Sequence, residues 1–333
     1  DDGKGNYTNP VIFADVPDID IIRVDDAFYM VSTTMHLSPG CPVMKSYDLV
    51  NWEIVNYVFD TLEDSDKLAL RNGENNYGKG QWATTLRYNN GVYYAGFTSF
   101  STGKTYIYHT DDIENGKWDR FVYDECFHDM SLLFDDDGKV YLIYGGGEIY
   151  CVELEKDLSA VKPGTKRKLI NNAGLVKGCL AEGSHVYKLN GYYYIFIITW
   201  PPNSKRTQLC YRSEALDGEW ERKVIIRDNM GFRNDGVAQG GIVDDKDGNW
   251  YCFVFQDHGA VGRTPVVSTM TWEDGWPVVG VKGKVPTTDK IPIAGHEKKG
   301  IVTSDEFINS QIVRSYHSRS EERRVGKECR SRW

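Results

Sequence analysis

The chain has 333 residues, 41% of them hydrophobic and 13% aromatic, and a formal net charge of −9, enough for one large domain or two ordinary ones. An acidic protein repels phosphate backbones and anionic lipid, so a neutral ligand fits better than nucleic acid or a membrane surface. No apolar run approaches the roughly 20 residues of a membrane span, and Cys41, Cys126, Cys151, Cys179, Cys210 and Cys252 include no C-x-x-C pair that would suggest zinc or single out a disulfide.

A turn flanked by aromatic strand residues recurs along the chain. In order, the copies are Asp25-Asp26-Ala27-Phe28-Tyr29, Asn89-Asn90-Gly91-Val92-Tyr93-Tyr94, Asp136-Asp137-Gly138-Lys139-Val140-Tyr141, Leu189-Asn190-Gly191-Tyr192-Tyr193-Tyr194 and Asp247-Gly248-Asn249-Trp250-Tyr251. Asn-Gly and Asp-Gly supply the positive φ of tight hairpin turns, and the aromatic residues begin the returning strand. Each hairpin is followed by a further strand-like stretch and a polar turn. In several copies that turn carries a tryptophan: Trp52, Trp118 and Trp220. The turn positions 27, 91, 138, 191 and 248 are 64, 47, 53 and 57 residues apart, near the length of a four-stranded blade. An all-β fold follows, a five-bladed β-propeller over residues 9–300.

First strands of propeller blades line the central channel. Nine positions before each turn residue stand Asp18, Trp82, Asp129, Glu182 and Gln239, with no aliphatic residue among them. Carboxylates converging in a partly dry space push one another's proton affinities apart, the condition for dividing acid from base work. Because the second strand returns toward the channel mouth, the next loops must surround these residues. They contribute His36, Phe100, Trp200, His258 and Arg263, stacking faces and fixed donors suited to a sugar. A polar lining that merely satisfies backbone groups remains the plain alternative.

At these residues the sequence resembles glycoside hydrolase family 43, in its arabinofuranosidase and xylosidase branch. Asn9-Pro10-Val11 with Pro17-Asp18-Ile19-Asp20 is similar to that family's opening, which makes Asp18 the general base. His128-Asp129-Met130-Ser131 resembles the segment whose aspartate tunes and orients the acid, and Ala181-Glu182-Gly183-Ser184-His185 the general-acid segment. Gly80-Gln81-Trp82-Ala83-Thr84 resembles a Trp-Ala-Pro segment with Thr84 in place of proline, and Gly262-Arg263 the sugar-binding arginine. The resemblance implies Asp18, Asp129 and Glu182 as catalytic residues and Trp82 and Arg263 as substrate contacts, to which loop position adds His36, Trp200 and His258 and the common offset adds Gln239. It implies inversion, with Glu182 protonating the glycosidic oxygen while Asp18 activates water.

No cofactor is required, and a structural calcium has no ligand motif: Gln239 stands where some members hold an ion through histidine. The implied substrate is an arabinose- or xylose-containing oligosaccharide or polysaccharide, attacked from the chain end. A glycan-binding propeller without catalysis and an endo-acting arabinanase or xylanase are the alternatives. Retaining propeller enzymes fit less well, since neither an Asn-Asp-Pro-Asn-Gly opening nor a tyrosine with an arginine cluster can be placed.

Ser304-Asp305-Glu306-Phe307 resembles the start of a C-terminal β-sandwich, so residues 301–318 are expected to be a truncated stub of such a module. Residues 319–333 carry six basic and three acidic residues without strand or helix pattern. They resemble a translated sequencing adapter and are expected to contribute nothing to folding or activity. Asp1 is not preceded by Met or a signal-like stretch, which points to a secreted or periplasmic protein whose leader has been removed, with a cytoplasmic one as the alternative.

Overall fold

The computed structural model describes residues 4–171, 181–201, 204–293 and the backbone of 318–319. Cys179, the stub at 301–317 and the tail at 320–333 lie outside them. Five four-stranded antiparallel sheets follow one another along the chain. Blade I comprises Asp20–Val24, Ala27–Val31, Gly40–Ser46 and Glu53–Phe59, and blade II Thr84–Asn89, Val92–Ser99, Lys104–Thr110 and Asp119–Tyr123. Blade III comprises Ser131–Phe134, Val140–Tyr144, Glu148–Leu154 and Arg167–Asn171. Blade IV is built from Ala181–Leu189, Tyr192–Thr199, Thr207–Ser213 and Glu221–Ile226, and blade V from Ile242–Asp244, Trp250–Asp257, Arg263–Glu273 and Trp276–Val279. This is the five-bladed propeller expected from the hairpin repeat, and no α-helix is present among the described residues.

Strand alternation explains why blades stack. Ala27–Val31 is buried at every position, because its two faces meet different neighbours. Ala27, Tyr29 and Val31 enter an apolar cluster shared with blade II, whereas Phe28 and Met30 enter one shared with blade V. Three further clusters fill the interfaces of blades II with III, III with IV and IV with V. A strand buried on both faces loses the polar side of the usual alternation. The turn tryptophans serve this packing: Trp52, 2% exposed, belongs to the blade I–V cluster and donates from Nε1 to the Leu49 carbonyl at 3.1 Å.

Ring closure uses the N-terminal segment. Asn6–Thr8 pairs antiparallel with Thr288–Lys290, and the Asn9 amide bonds Val267 in both directions, accepting from its N–H at 3.0 Å and donating to its carbonyl at 2.8 Å. Ser318–Arg319 pairs with Leu37–Ser38. Among the described residues Cys41, Cys126, Cys151, Cys210 and Cys252 are free thiols, and no helix is long and apolar enough to cross a membrane.

Below the channel mouth the inner strands are tied by one buried polar layer. Asp20 of blade I accepts from Arg87 Nη1 of blade II at 2.6 Å and from the Leu86 N–H at 2.8 Å, and its other oxygen lies 3.1 Å from Nδ1 of His185 in blade IV. Arg87 also donates to Ser131 Oγ and the Leu132 carbonyl of blade III and to the Val186 carbonyl of blade IV. The Tyr187 hydroxyl, from blade IV, accepts from the Ile242 N–H of blade V. Gly241 lets blade V approach this closely, since a Cβ there would fall 2.2 Å from the Tyr187 hydroxyl.

Candidate active site

Asp18, Trp82, Asp129 and Gln239 sit just before the inner strands of blades I, II, III and V, and Glu182 occupies the second position of blade IV's inner strand. Three of these equivalent positions are left-handed: Asp18 at φ 51°, Asp129 at 46° and Gln239 at 62°. Non-glycine residues adopt this region rarely and at a cost, and such backbone clusters at functional sites. In blade IV the same bend is delivered differently. The pairing register shifts between Glu182 and His185, and Gly183 takes φ 71°; a bulge of this kind re-aims a side chain beside an active site.

The carboxylates are brought together. Asp18, 3% exposed, accepts from Arg263 Nη1 at 2.7 Å and from Thr33 Oγ1 at 2.9 Å. Burial pushes its carboxyl upward, opposed by the positive charge of Arg263, the Thr33 hydrogen bond and Arg206, and reinforced by the negative charge of Glu182. Asp129 is driven up to about 7 by burial, which outweighs His128; Glu182 and Asp18 push the same way, and the Gly183 N–H donates to it. Glu182 Oε2 lies 2.9 Å from His128 Nε2, and His128 Nδ1 lies 3.6 Å from Asp129 Oδ1.

Around this centre the expected contacts fall into two groups. Arg263 binds Asp18, and Gln239 packs against Gly183, where an added Cβ would meet its side chain at 3.0 Å. Trp200 lies under the Arg206 guanidinium, 5.1 Å from its ring centroid, and Arg206 pairs with Asp257, which also faces Arg263 Nε at 3.5 Å. Trp82 leads into the inner strand of blade II, its carbonyl accepting from Gln81 Nε2 at 2.7 Å.

His36 and His258 engage residues of the rim. His36 Nδ1 accepts from the Gly78 N–H at 3.3 Å beside the Tyr77 ring. His258 stacks on Phe232 at 4.2 Å, with the exposed Phe13 edge-on at 5.8 Å.

Several residues of this site and of the layer beneath it are not singled out by the sequence. His128 was visible only as the neighbour of Asp129, and Thr33 and Arg206 carry no local signal. Asp20, Arg87 and His185 did leave one: ionisable residues on strands otherwise destined for a core.

His128, Asp129 and Glu182 offer ligand atoms within 4.8 Å of one another, with a hydrogen bond joining His128 and Glu182. Farther down the axis Asp20 is paired with the Arg87 guanidinium.

A propeller whose inner-strand ends gather the carboxylates of Asp18, Asp129 and Glu182 suits glycoside hydrolysis. The chain belongs to the glycosyl hydrolases of family 43, whose family model matches residues 7–277. It is 30% identical to a beta-xylosidase of Formosa agariphila over 94% of its length and 58% of the relative's. To a non-reducing end alpha-L-arabinofuranosidase of Bacteroides ovatus it is 29% identical over 86% of its length and 56% of the relative's. A solved structure, the bifunctional GH43-CE protein of Bacteroides eggerthii, superposes with a TM-score of 0.85 at 47% identity, covering 91% of this chain and 39% of that one. The chain thus spans little more than half the length of these two curated relatives and 39% of the solved one.

Proposed function

We propose that the protein is an inverting, exo-acting glycoside hydrolase that releases L-arabinofuranose or D-xylose from plant hemicellulose such as arabinoxylan. The observation that carries this reading is the separate anchoring of two carboxylates at one mouth: Asp18 between Arg263 and Thr33, Glu182 against His128. Inversion needs a base and an acid held apart with room for water, about 6.5–9.5 Å between carboxyl groups. Asp18 is the base. Burial raises its proton affinity toward the range in which a carboxylate can accept a proton from water, and Arg263 with Thr33 fixes the direction of attack. Glu182 protonates the glycosidic oxygen as the C–O bond breaks. Asp129, close to Glu182 and itself reluctant to ionise, limits the negative charge that gathers beside the acid.

Exo action is supported by the name of one relative, a non-reducing end alpha-L-arabinofuranosidase. The names of the relatives support xylose and arabinofuranose as the released sugars.

The test separates the two carboxylates. Glu182→Ala is expected to cost about 10²- to 10⁴-fold on oligosaccharides and far less on nitrophenyl glycosides, whose leaving groups hardly need protonation. Asp18→Ala is expected to cripple both, since no leaving group replaces the base. NMR of the first-formed sugar should show the inverted anomer, and retention, or equal losses for Glu182→Ala on both substrate types, would refute the assignment.

A further inference from the structure

The contact made by His128 is left over by the acid–base pair. Its ring is half-buried, its Nε2 lies 2.9 Å from Glu182 Oε2, and the exposed Phe100 ring packs against it at 5.4 Å between centroids. The backbone beneath it is pinned as well: the Gly145 N–H donates to the His128 carbonyl at 2.9 Å, and Asp129 follows in the left-handed region. Gly146 lies alongside, where a Cβ would sit 3.4 Å from the His128 ring and 3.7 Å from Glu182 Oε2. A rigid, oriented imidazole therefore addresses one oxygen of the acid and leaves the other to the substrate.

We propose that His128 is a positioning residue for the acid: its Nε2–H donates to Oε2 of Glu182, so that the transferable proton rides on Oε1, and the hydrogen bond strengthens as Glu182 becomes a carboxylate. This rests on the reading of Glu182 as general acid. A donor to an oxygen that gains charge in the transition state binds that state more tightly than the ground state. The proton count closes within the reaction. Oε1–H breaks and the proton goes to the glycosidic oxygen, the C–O bond breaks, a bond forms from the attacking water to the anomeric carbon, and Asp18 takes the proton that water loses. His128 keeps its own proton throughout.

The charged groups facing His128 are Glu182 from blade IV, Asp129 from its own loop and Asp18 from blade I; Phe100 of blade II and Gly146 add no charge. Burial alone would lower the proton affinity of His128, but these carboxylates outweigh it and raise it, which favours a ring that donates.

His128→Ala and His128→Gln, with Glu182→Ala in parallel, test the proposal. For His128→Ala, kcat on an unactivated xylo- or arabino-oligosaccharide should fall about 10- to 100-fold with KM within about twofold. The nitrophenyl glycoside should lose much less. Removing a donor to the ionised acid favours its protonated form, so the alkaline limb of the pH–rate profile should move to higher pH. His128→Gln, whose amide reaches the place of Nε2, should recover most of the loss and also guards against an alanine variant that fails to fold.

Equal losses on both substrates with an unmoved alkaline limb, no loss at all, or a glutamine variant as impaired as the alanine one would overturn the proposal. So would abolition of wild-type activity by a chelator, which would make the three residues a metal site. If Glu182→Ala itself shows no dependence on the leaving group, the functional reading fails first; if it does and His128→Ala does not, only this inference falls.

Discussion

Asp18 and Asp20 stand two residues apart at the entry to the same strand, both buried, and their surroundings drive them in opposite directions. At Asp20 burial alone would raise the carboxyl, but Arg87, His185 and the Leu86 N–H outweigh it and pull it down to about 2. At Asp18 burial wins over Arg263 and Thr33, and at Asp129 it wins over His128, to about 7. The axial layer is compensated and serves stability. At the mouth burial outweighs the nearby positive charges at Asp18 and Asp129, whose carboxyls keep a raised proton affinity of the kind found at functional sites. One set of inner strands therefore carries both a lock and, two residues earlier in blade I, the candidate reactive centre.

The largest expected effect tests the lock. Arg87→Met should remove the counter-charge of Asp20 together with ties to blades III and IV, destabilising the protein by about 3–5 kcal/mol. Urea unfolding near neutral pH reads this, and a loss below about 1 kcal/mol would abolish the distinction between the two layers.

The mouth should respond with the opposite sign. The folded Asp129 carboxyl titrates near 7, above its unfolded value of about 3.9. Between those values the native state binds more protons than the unfolded one, so stability falls as pH rises from about 4 to 7. Asp129→Asn should remove that fall and leave the protein about 2–4 kcal/mol more stable at pH 8, while activity drops. Asp20 contributes with the reverse sign: its stabilisation is full above about pH 4 and fades as pH falls toward 2. Unfolding free energies of both proteins from pH 3 to 8 check the two windows, and parallel curves would show that Asp129 is compensated after all.

The smallest effect sharpens the contrast by removing burial. Arg71 bonds Asp64 at 2.7 Å and Asp66 at 2.9 Å, both pairs in water, where screening and side-chain entropy cancel most of the attraction. Arg71→Ala should be indistinguishable from the parent in unfolding and in activity, and a clear loss would mean that distance, not burial, sets the worth of these pairs.

Repetition made the fold readable in advance. Asn-Gly and Asp-Gly turns followed by aromatic strands are local chemistry, since positive φ and strand formation are decided within a few residues, and their spacing implied five blades. The common offset also marked Asp18, Trp82, Asp129, Glu182 and Gln239 as one ring of positions, because equivalent strand ends must converge on an axis. Family likeness supplied the roles of the carboxylates; spacing could not, since base and acid differ only in what surrounds them.

That surrounding was decided in three dimensions. The bulge after Glu182 and the left-handed backbone at Asp18, Asp129 and Gln239 leave no mark in the sequence pattern, and the contact between His128 and the acid arises where separate blades meet. Likewise Asp20, Arg87 and His185, 165 residues apart at the extremes, form one ion layer only after the ring has closed. Secondary structure follows from neighbours in sequence, whereas the charge a buried carboxyl feels follows from neighbours in space, and here those come from different blades.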